Sequence, residues 1–539
     1  MGKRSLFRTS LSLLIAALLF IGSVGPVWAG GGDAAVDQSR NKRLIDVQIL
    51  GINDFHGQLN VTQWVDGKPA GRADYLAAHL KRRSEKNKNT LIVQAGDMVG
   101  ASPPISALLQ DEPTIEFLNR IGVDVGTVGN HEFDEGVEEM LRLINGGFHP
   151  NTGYFPGAKF PYVVANVLDK KTGKPVLPPY VVKRVKGVPI GFVGVVLTDT
   201  PSIVNPGGVK SVRFVDETAA INQAVKELKK KGVRAIVVLA HVPGTSNLDG
   251  SAATGEIVDV AKSVDDEVDV IFAAHSHQYM NAVVDDKLLV QAYSYGTAYA
   301  AVDLAIDPIT KDITRKRAEI VTVWQEGIKP DPKIRRMIEY YEEKTAPMVN
   351  KVVGTAAKTI RRAQNESGES ELGNLIADAQ RTSMQTDFAF MNPGGIRADI
   401  EQGEVTWGEL FAVQPFGNNL VKMTLTGEQI RRLLNQQWQQ ANNHFLQISG
   451  LRYTWDDTRP VGDKVVDIFL PDGSRIDPDA AYTVTANSFL AEGGDNFTVF
   501  TEGTDREVGP VDLDALVEYV KQLPQPFSAS IEGRIEKIQ

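Results

Sequence analysis

Cysteine is absent from the 539 residues. That excludes disulfides, a lipid-modified N-terminal cysteine and any thiolate metal site. Histidine is scarce, at eight residues, so metal ligands must come from a small set of His, Asp, Glu and Asn side chains. An excess of positive charge is missing too, the formal net charge being −10. A general nucleic-acid binder needs the opposite sign, so no nucleic-acid duplex is expected as a partner. A small anionic substrate remains compatible, provided a metal or an arginine cluster supplies local positive charge. Only one apolar run stands out, Leu11–Ile21, and no run of membrane-spanning length follows it.

That run has a context. Lys3, Arg4 and Arg8 precede it, and Val27-Trp28-Ala29 leads into Gly30. A basic start, a short apolar stretch and a small-residue end predict a signal peptide over residues 1–29. Its removal, with three basic side chains and no acids, leaves the mature chain near −13. The expected location is periplasmic, cell-wall or extracellular, with no transmembrane segment in the mature chain.

The length suggests two or three domains at roughly 100–200 residues each. Residues 30–43 are Gly-rich and polar, a flexible mature N-terminus. Residues 44–328 alternate short buried-type strands (47–50, 91–93, 235–239, 270–272) with amphipathic helices (72–85, 219–231), an α/β pattern. Residues 329–350 carry prolines around a charged helical stretch and are expected to be a linker helix. Residues 351–539 mix helices (372–384, 427–438) with strands and form a second domain.

Five polar clusters each follow a predicted strand: Asp54-Phe55-His56, Gly96-Asp97, Gly129-Asn130-His131-Glu132-Phe133-Asp134, His241, and His275-Ser276-His277. Five of the eight histidines lie in them. Strand ends converge on one rim, and mixed oxygen and nitrogen donors suit Mn, Fe, Zn, Co or Ni. A carboxylate shared by two ions about 3.5–4 Å apart would clamp the attacking and leaving oxygens of a displacement at phosphorus. Asp134 also stands where it would cap a helix over 135–144. In the second half, Asn392-Pro393-Gly394-Gly395-Ile396-Arg397 is a glycine turn ending in a guanidinium, suited to a phosphate or carboxylate. Gln414-Pro415-Phe416-Gly417-Asn418 and the segment Asn487–Phe497 set Phe416 and Phe489 beside turn residues. Such rings could stack a nucleobase or fill a core.

The order and content of these clusters resemble the calcineurin-like metallophosphoesterases, specifically the bacterial 5′-nucleotidase family, over nearly the whole mature chain. The segment Glu369–Asp378 resembles the opening helix of that family's C-terminal domain. The resemblance implies an N-terminal four-layer αββα metallophosphoesterase domain, then a smaller α+β substrate-binding domain. It implies two divalent ions, one held by Asp54, His56, Asp97 and His277, the other by Asp97, Asn130, His241 and His275. His131 and Asp134 match the catalytic dyad, and Asn392, Arg397, Phe416, Phe489 and Asp495 match the substrate-binding set. Members often carry Gln or Asn at the position of His277, which bears on metal preference. The family's upstream phosphate-binding arginine has two candidates, Arg361 and Arg362. The implied activity is removal of the 5′-phosphate of nucleotides. Alternatives are a 2′,3′-cyclic nucleotide phosphodiesterase, a nucleotide-sugar pyrophosphatase, or a nucleotide-binding surface protein without turnover.

Overall fold

The computed structural model describes residues 27–28, 44–439 and 443–538. The expected signal segment, apart from residues 27–28, and the expected polar terminus at 30–43 lie outside them. Among the described residues no helix is long and apolar enough to cross a membrane.

The N-terminal part is built on two six-stranded sheets packed face to face. One runs in the order Val27–Trp28, Ile313–Thr322, Ala298–Ile306, Ile45–Ile52, Thr90–Gln94, Val125–Gly126; its last three strands are parallel. The other runs Tyr180–Val185, Val188–Val196, Ala235–His241, Val268–Phe272, Lys287–Ala292, Tyr279–Val284, with the four inner strands parallel. The side-chain period of two divides each strand between two cores. Val47 and Ile49 join Val237, Leu239, Val270 and Phe272 between the sheets. Leu50 and Ile52, and likewise Ile236 and Val238, face outward into a second apolar cluster that takes in helices Ala73–Ser84, Glu112–Ile121, Glu217–Lys230 and Glu256–Ser263. The result is the expected helix–sheet–sheet–helix stack. Its parallel strands all end toward one rim.

Helix Pro332–Val349 is capped by Asp331, whose carboxylate accepts from the Lys333 and Ile334 amides. It is tied to the N-terminal part, because Ile334, Met337 and Ile338 belong to the outer core cluster there.

The C-terminal part centres on a five-stranded sheet: Gln447–Ser449, Phe388–Met391, Ala481–Asn487, Asn419–Thr426, Thr504–Val511. Apolar clusters lie on its two sides, one around Phe390, Leu433 and Val484, the other around Leu372, Ile376 and Leu516. The segment Glu369–Asp378 earns its composition here. Ser370 caps helix Glu371–Met384 through the Gly373 amide. Buried Glu369 accepts from Asn374 Nδ2 at 2.7 Å and from the amides of Glu532 at 2.7 Å and Arg534 at 3.0 Å. Asp378 takes both guanidinium nitrogens of Arg534, at 2.8 and 2.7 Å. These charge-assisted bonds seat the last strand, Ile535–Lys537, against Arg452–Trp455. Glu369→Ala should therefore lower stability by about 1.5–3 kcal/mol, the range for bonds to a charged group. The change should be visible in denaturant melts followed by the fluorescence of Trp455, whose Nε1 bonds the Ser367 carbonyl. A melt matching wild type would show that the last strand is held otherwise.

Candidate active site

All seven expected metal ligands meet at the rim. Asp54, His56, Asp97, Asn130 and His241 are buried; His275 and His277 are half-buried. Five of the seven, namely Asp54, His56, Asp97, His275 and His277, have φ between 47° and 75°. This left-handed conformation is unfavourable for side-chain-bearing residues, and its clustering marks a site where the fold holds backbone against its preference. It turns each residue sharply off its strand so that the side chains face one another. The loops approach closely as well. A Cβ on Gly129 would lie 2.2 Å from Asp97 Oδ1, and one on Gly96 2.5 Å from the Gly129 nitrogen, so only glycine fits at either place.

The ring nitrogens reveal what the cluster is shaped for. Nδ1 of His56 donates to the Gly100 carbonyl at 2.9 Å, and Nδ1 of His241 donates to the Ala95 carbonyl at 3.0 Å. In the neutral rings each Nε2 is then a bare lone pair. The Nε2 of His56 faces that of His277 at 3.2 Å and Asp97 Oδ2 at 3.7 Å. The Nε2 of His241 faces Asp97 Oδ2 and Asn130 Oδ1, both at 3.1 Å. Asn130 Oδ1 lies 2.9 Å from His275 Nδ1, and Asp54 Oδ1 lies 3.6 Å from His277 Nε2. Acceptors converging on acceptors fit a cation, and the backbone carbonyls fix the tautomers as metal-ligating histidines require. Asp54, His56 and His277 form one group of mutually close donors; Asp97, His241 and His275 form another. Asp97 Oδ2 reaches toward both His56 and His241, the position of a bridge.

Electrostatics agree. Burial pulls His56 well below its usual value, His275 down to about 3 and His277, helped by the Arg397 guanidinium, down to about 4. These rings stay neutral and able to ligate. Burial pushes the Asp54 carboxyl up to about 7. Burial also opposes charge on Asp97, yet His241 and His131 hold it well below the ordinary carboxylate range. For His241 burial opposes protonation, but the Asp97 charge outweighs it and drives the ring up to about 9. A proton there sits where positive charge is called for.

A third group, His56, Asp97 and His131, is equally compact. His131 is engaged differently. Its Nδ1 meets Asp134 Oδ2 at 2.7 Å, and its amide donates to Asp97 Oδ1 at 2.9 Å. Burial lowers its basicity, but Asp134 and Asp97 overcome this and raise it. Asp134 does not cap the following helix, which begins at Val137 after Gly136; its carboxylate is spent on His131. Only Nε2 of His131 remains for a reacting group.

Sequence reasoning missed what Glu132 does. Its buried carboxylate accepts from the Asp97 amide at 2.9 Å, the Gly129 amide at 2.5 Å and the Met98 amide at 2.8 Å. It thus pins the bridging loop to the Asn130 loop. The residue was legible within the motif; the three amides it serves were not. Also unforeseen was segment 203–205, whose Ile203, Val204 and Asn205 wall the substrate cavity.

That cavity, of about 410 Å³, is lined by Asn130, His131, Asp134 and His275 from the N-terminal part and by all five expected C-terminal residues, Asn392, Arg397, Phe416, Phe489 and Asp495. Asn487 Nδ2 donates to Asn392 Oδ1, and Asn392 Nδ2 donates to Asp495 Oδ2, each at 3.0 Å. Phe416 stacks on His131, with centroids 5.8 Å apart and planes 15° from parallel. The Arg397 guanidinium also lies 5.8 Å from the Phe416 centroid. Of the two arginine candidates upstream, Arg362 stands beside this turn, donating to the Ile396 carbonyl at 3.2 Å. Arg361 is exposed and faces Asp399 at 3.9 Å.

Residues 47–279 match the calcineurin-like phosphoesterase family, and residues 352–502 match the 5′-nucleotidase C-terminal domain. The chain is 37% identical to the cell wall protein Lmo0130 of Listeria monocytogenes over 98% of this chain and 73% of that protein. It superposes on a 5′-nucleotidase precursor from Thermus thermophilus with a TM-score of 0.79 at 30% identity, covering 92% of this chain and 99% of the other. The chain belongs to the 5′-nucleotidase family. As a member it is a metal-dependent phosphoesterase, and the donor set described above fits the divalent ions that this fold implies. Endonuclease YhcR of Bacillus subtilis is 47% identical over 93% of this chain, but the chain spans only 41% of the length of YhcR.

The geometry separates ligands from dyad in a testable way. Asp97→Asn should lose both bound metal, measured by elemental analysis, and phosphate release. His131→Ala should keep its metal and lose turnover by roughly 10²–10³, the usual cost of one transition-state donor. Loss of metal in the His131 variant would place this ring among the ligands instead.

Proposed function

We propose that this phosphoesterase removes the 5′-phosphate of nucleotides outside the cytoplasmic membrane. The observation that carries the reading is the single cavity shared by the His131 side of the donor cluster and the C-terminal set of Arg397, Phe489 and Asp495. Phosphate chemistry and nucleoside recognition thereby face one space. For export, the support is the signal-like segment at residues 1–29 and the cell wall location that the name of Lmo0130 carries.

In this reading Asp54, His56 and His277 would hold one divalent ion, Asn130, His241 and His275 would hold the other, and Asp97 would serve both. Two such ions supply an activated water and offset the charge on the phosphoryl group. The chain does the rest. Asp134 keeps the His131 imidazole oriented and protonated, and its free Nε2–H donates to oxygen that gains charge at phosphorus. Arg397 adds a guanidinium to the phosphate end. Asp495, held by Asn392, accepts from ribose hydroxyls, and Phe489 stacks the base. Phe416, lying flat on His131, holds the plane of the imidazole and closes the site against it.

The two phenylalanines therefore separate. A stacked base is worth about 1–3 kcal/mol, so Phe489→Ala should weaken kcat/KM for AMP by roughly 5- to 150-fold and leave an aryl phosphate, which has no base, nearly unchanged. Phe416→Ala should impair both substrates, through kcat as well as KM. Release of phosphate from AMP, with and without chelator, checks the activity itself. Equal effects of the two variants on the two substrates would sink this division.

A further inference from the structure

Gly100 occupies a narrow place between the donor cluster and the dyad. Its carbonyl takes Nδ1 of His56 at 2.9 Å. A Cβ on Gly100 would lie 2.7 Å from Asp134 Oδ2 and 2.7 Å from His131 Cβ. The residue therefore meets a candidate ligand on one side and both members of the dyad on the other. Its φ is 80° and that of Ala101 is 47°, left-handed backbone that Ala101 adopts only under constraint. A contact from outside this loop must hold the Gly100 peptide in place.

Asp111 makes that contact. Its Oδ2 accepts from the Gly100 amide at 3.1 Å, and among the described residues that amide has no other acceptor. Asp111 stands at the head of helix Glu112–Ile121, where an aspartate ordinarily caps the amides of the first turn. Here its side chain makes no such bond. Its φ is 54° and that of Gln110 is 56°, and its Oδ1 is buried without a hydrogen-bond partner. Burial pushes the carboxyl above its ordinary value. Left-handed backbone, a forgone cap and a buried oxygen without a donor each cost stability. The contact that this costly arrangement maintains is the grip on Gly100.

We propose, resting on the reading of His56 as a metal ligand, that Asp111 is a positioning residue for the donor cluster: it fixes the Gly100 peptide, whose carbonyl sets the tautomer and direction of the His56 ring. A carbonyl that holds Nδ1–H must itself be held, or the imidazole turns and its Nε2 leaves the other donors. Asp111 touches neither the cluster nor the cavity beside His131, so it acts only through Gly100. A plain turn residue at this place would matter for its backbone alone, because aspartate and asparagine tolerate left-handed φ better than most side chains.

Substitution by glycine, which adopts that φ freely, separates the two roles. Asp111→Gly should leave the melting temperature of the metal-free full chain no lower than that of wild type, since it relieves backbone strain and removes a buried carboxylate. It should nevertheless weaken Mn²⁺ binding, measured by calorimetry on the metal-free chain, by roughly 10- to 100-fold, the range for a lost partner behind a ligating histidine. Asp111→Asn keeps both the backbone and an oxygen for the Gly100 amide, and should bind Mn²⁺ within about threefold of wild type. His56→Ala, which removes the ring itself, should bind Mn²⁺ more weakly than Asp111→Gly. The positioning role is overturned if Asp111→Gly binds Mn²⁺ like wild type, if Asp111→Asn fails to restore binding, or if the metal-free glycine variant melts earlier. Loss of binding in His56→Ala without loss in Asp111→Gly sinks the positioning role alone. Wild-type binding in His56→Ala brings down the ligand reading, and the role of Asp111 with it.

Discussion

Ring nitrogens and oxygens crowded to 3.1–3.2 Å around one centre are the constraint on which this molecule depends, and only a cation, or a proton such as Asp97 favours on His241, relieves it. Left to themselves they repel, and the carboxylates among them also lose hydration on burial. Such an arrangement needs a scaffold stable enough to impose it and a cation to reward it. Two sheets closed over one apolar core supply the scaffold. Parallel strands deliver every donor to the same rim, five residues accept left-handed backbone, and two glycines let neighbouring loops touch. Glu132 then ties the Asp97 loop to the Asn130 loop through three amides. Remove any of these and the donors would splay apart toward water.

The second dependence runs across the two halves of the chain. His131 makes its polar contacts within the N-terminal part, but the face of its ring is covered by Phe416 from the C-terminal part. The Arg397 guanidinium lies 5.8 Å from the centroid of the same phenyl ring, helps keep His277 neutral and lines the cavity beside His131. The position of the C-terminal part therefore bears directly on the His131 ring. Glu369 and Arg534 anchor the last strand in a separate three-stranded sheet, and Arg534 also reaches the five-stranded sheet by donating to the Ile448 carbonyl at 2.8 Å.

Much of this was legible in the sequence because strand ends are local features. A run such as 235–239 followed by His241 states both the strand and the place of its ligand. The seven donors gather at the rim for that reason, whereas Phe416 follows helix Trp407–Val413 and Phe489 and Asp495 sit in short helices after strand Ala481–Asn487. What the sequence could not convey arises from contacts distant along the chain. The stacking of Phe416 on His131 joins residues 285 positions apart in number, and no periodicity encodes it. The same holds for residues 203–205, which have no motif and wall the cavity where helix Thr200–Ile203 packs against residues 494–496. The Glu369–Asp378 segment was recognisable as a pattern, yet its purpose became visible only beside residues 532–535. Asp134 shows the converse: local chemistry allowed a helix cap or a partner for His131, and Gly136 decided the matter by starting the helix later.

The division of labour also explains how one family accommodates proteins named nucleotidase and endonuclease. A pair of cations gripping phosphoryl oxygens is indifferent to what else phosphorus carries, since the charge it offsets is the same in a monoester and a diester. Discrimination must then come from the walls. The cavity beside His131 offers two phenyl rings and a buried carboxylate, those of Phe416, Phe489 and Asp495. A substitution in that lining would leave the donor cluster untouched and still change which phosphate esters reach it. Substrate range in such a fold is thus set by side chains that take no part in the chemistry, and it can shift while the donor cluster stays fixed.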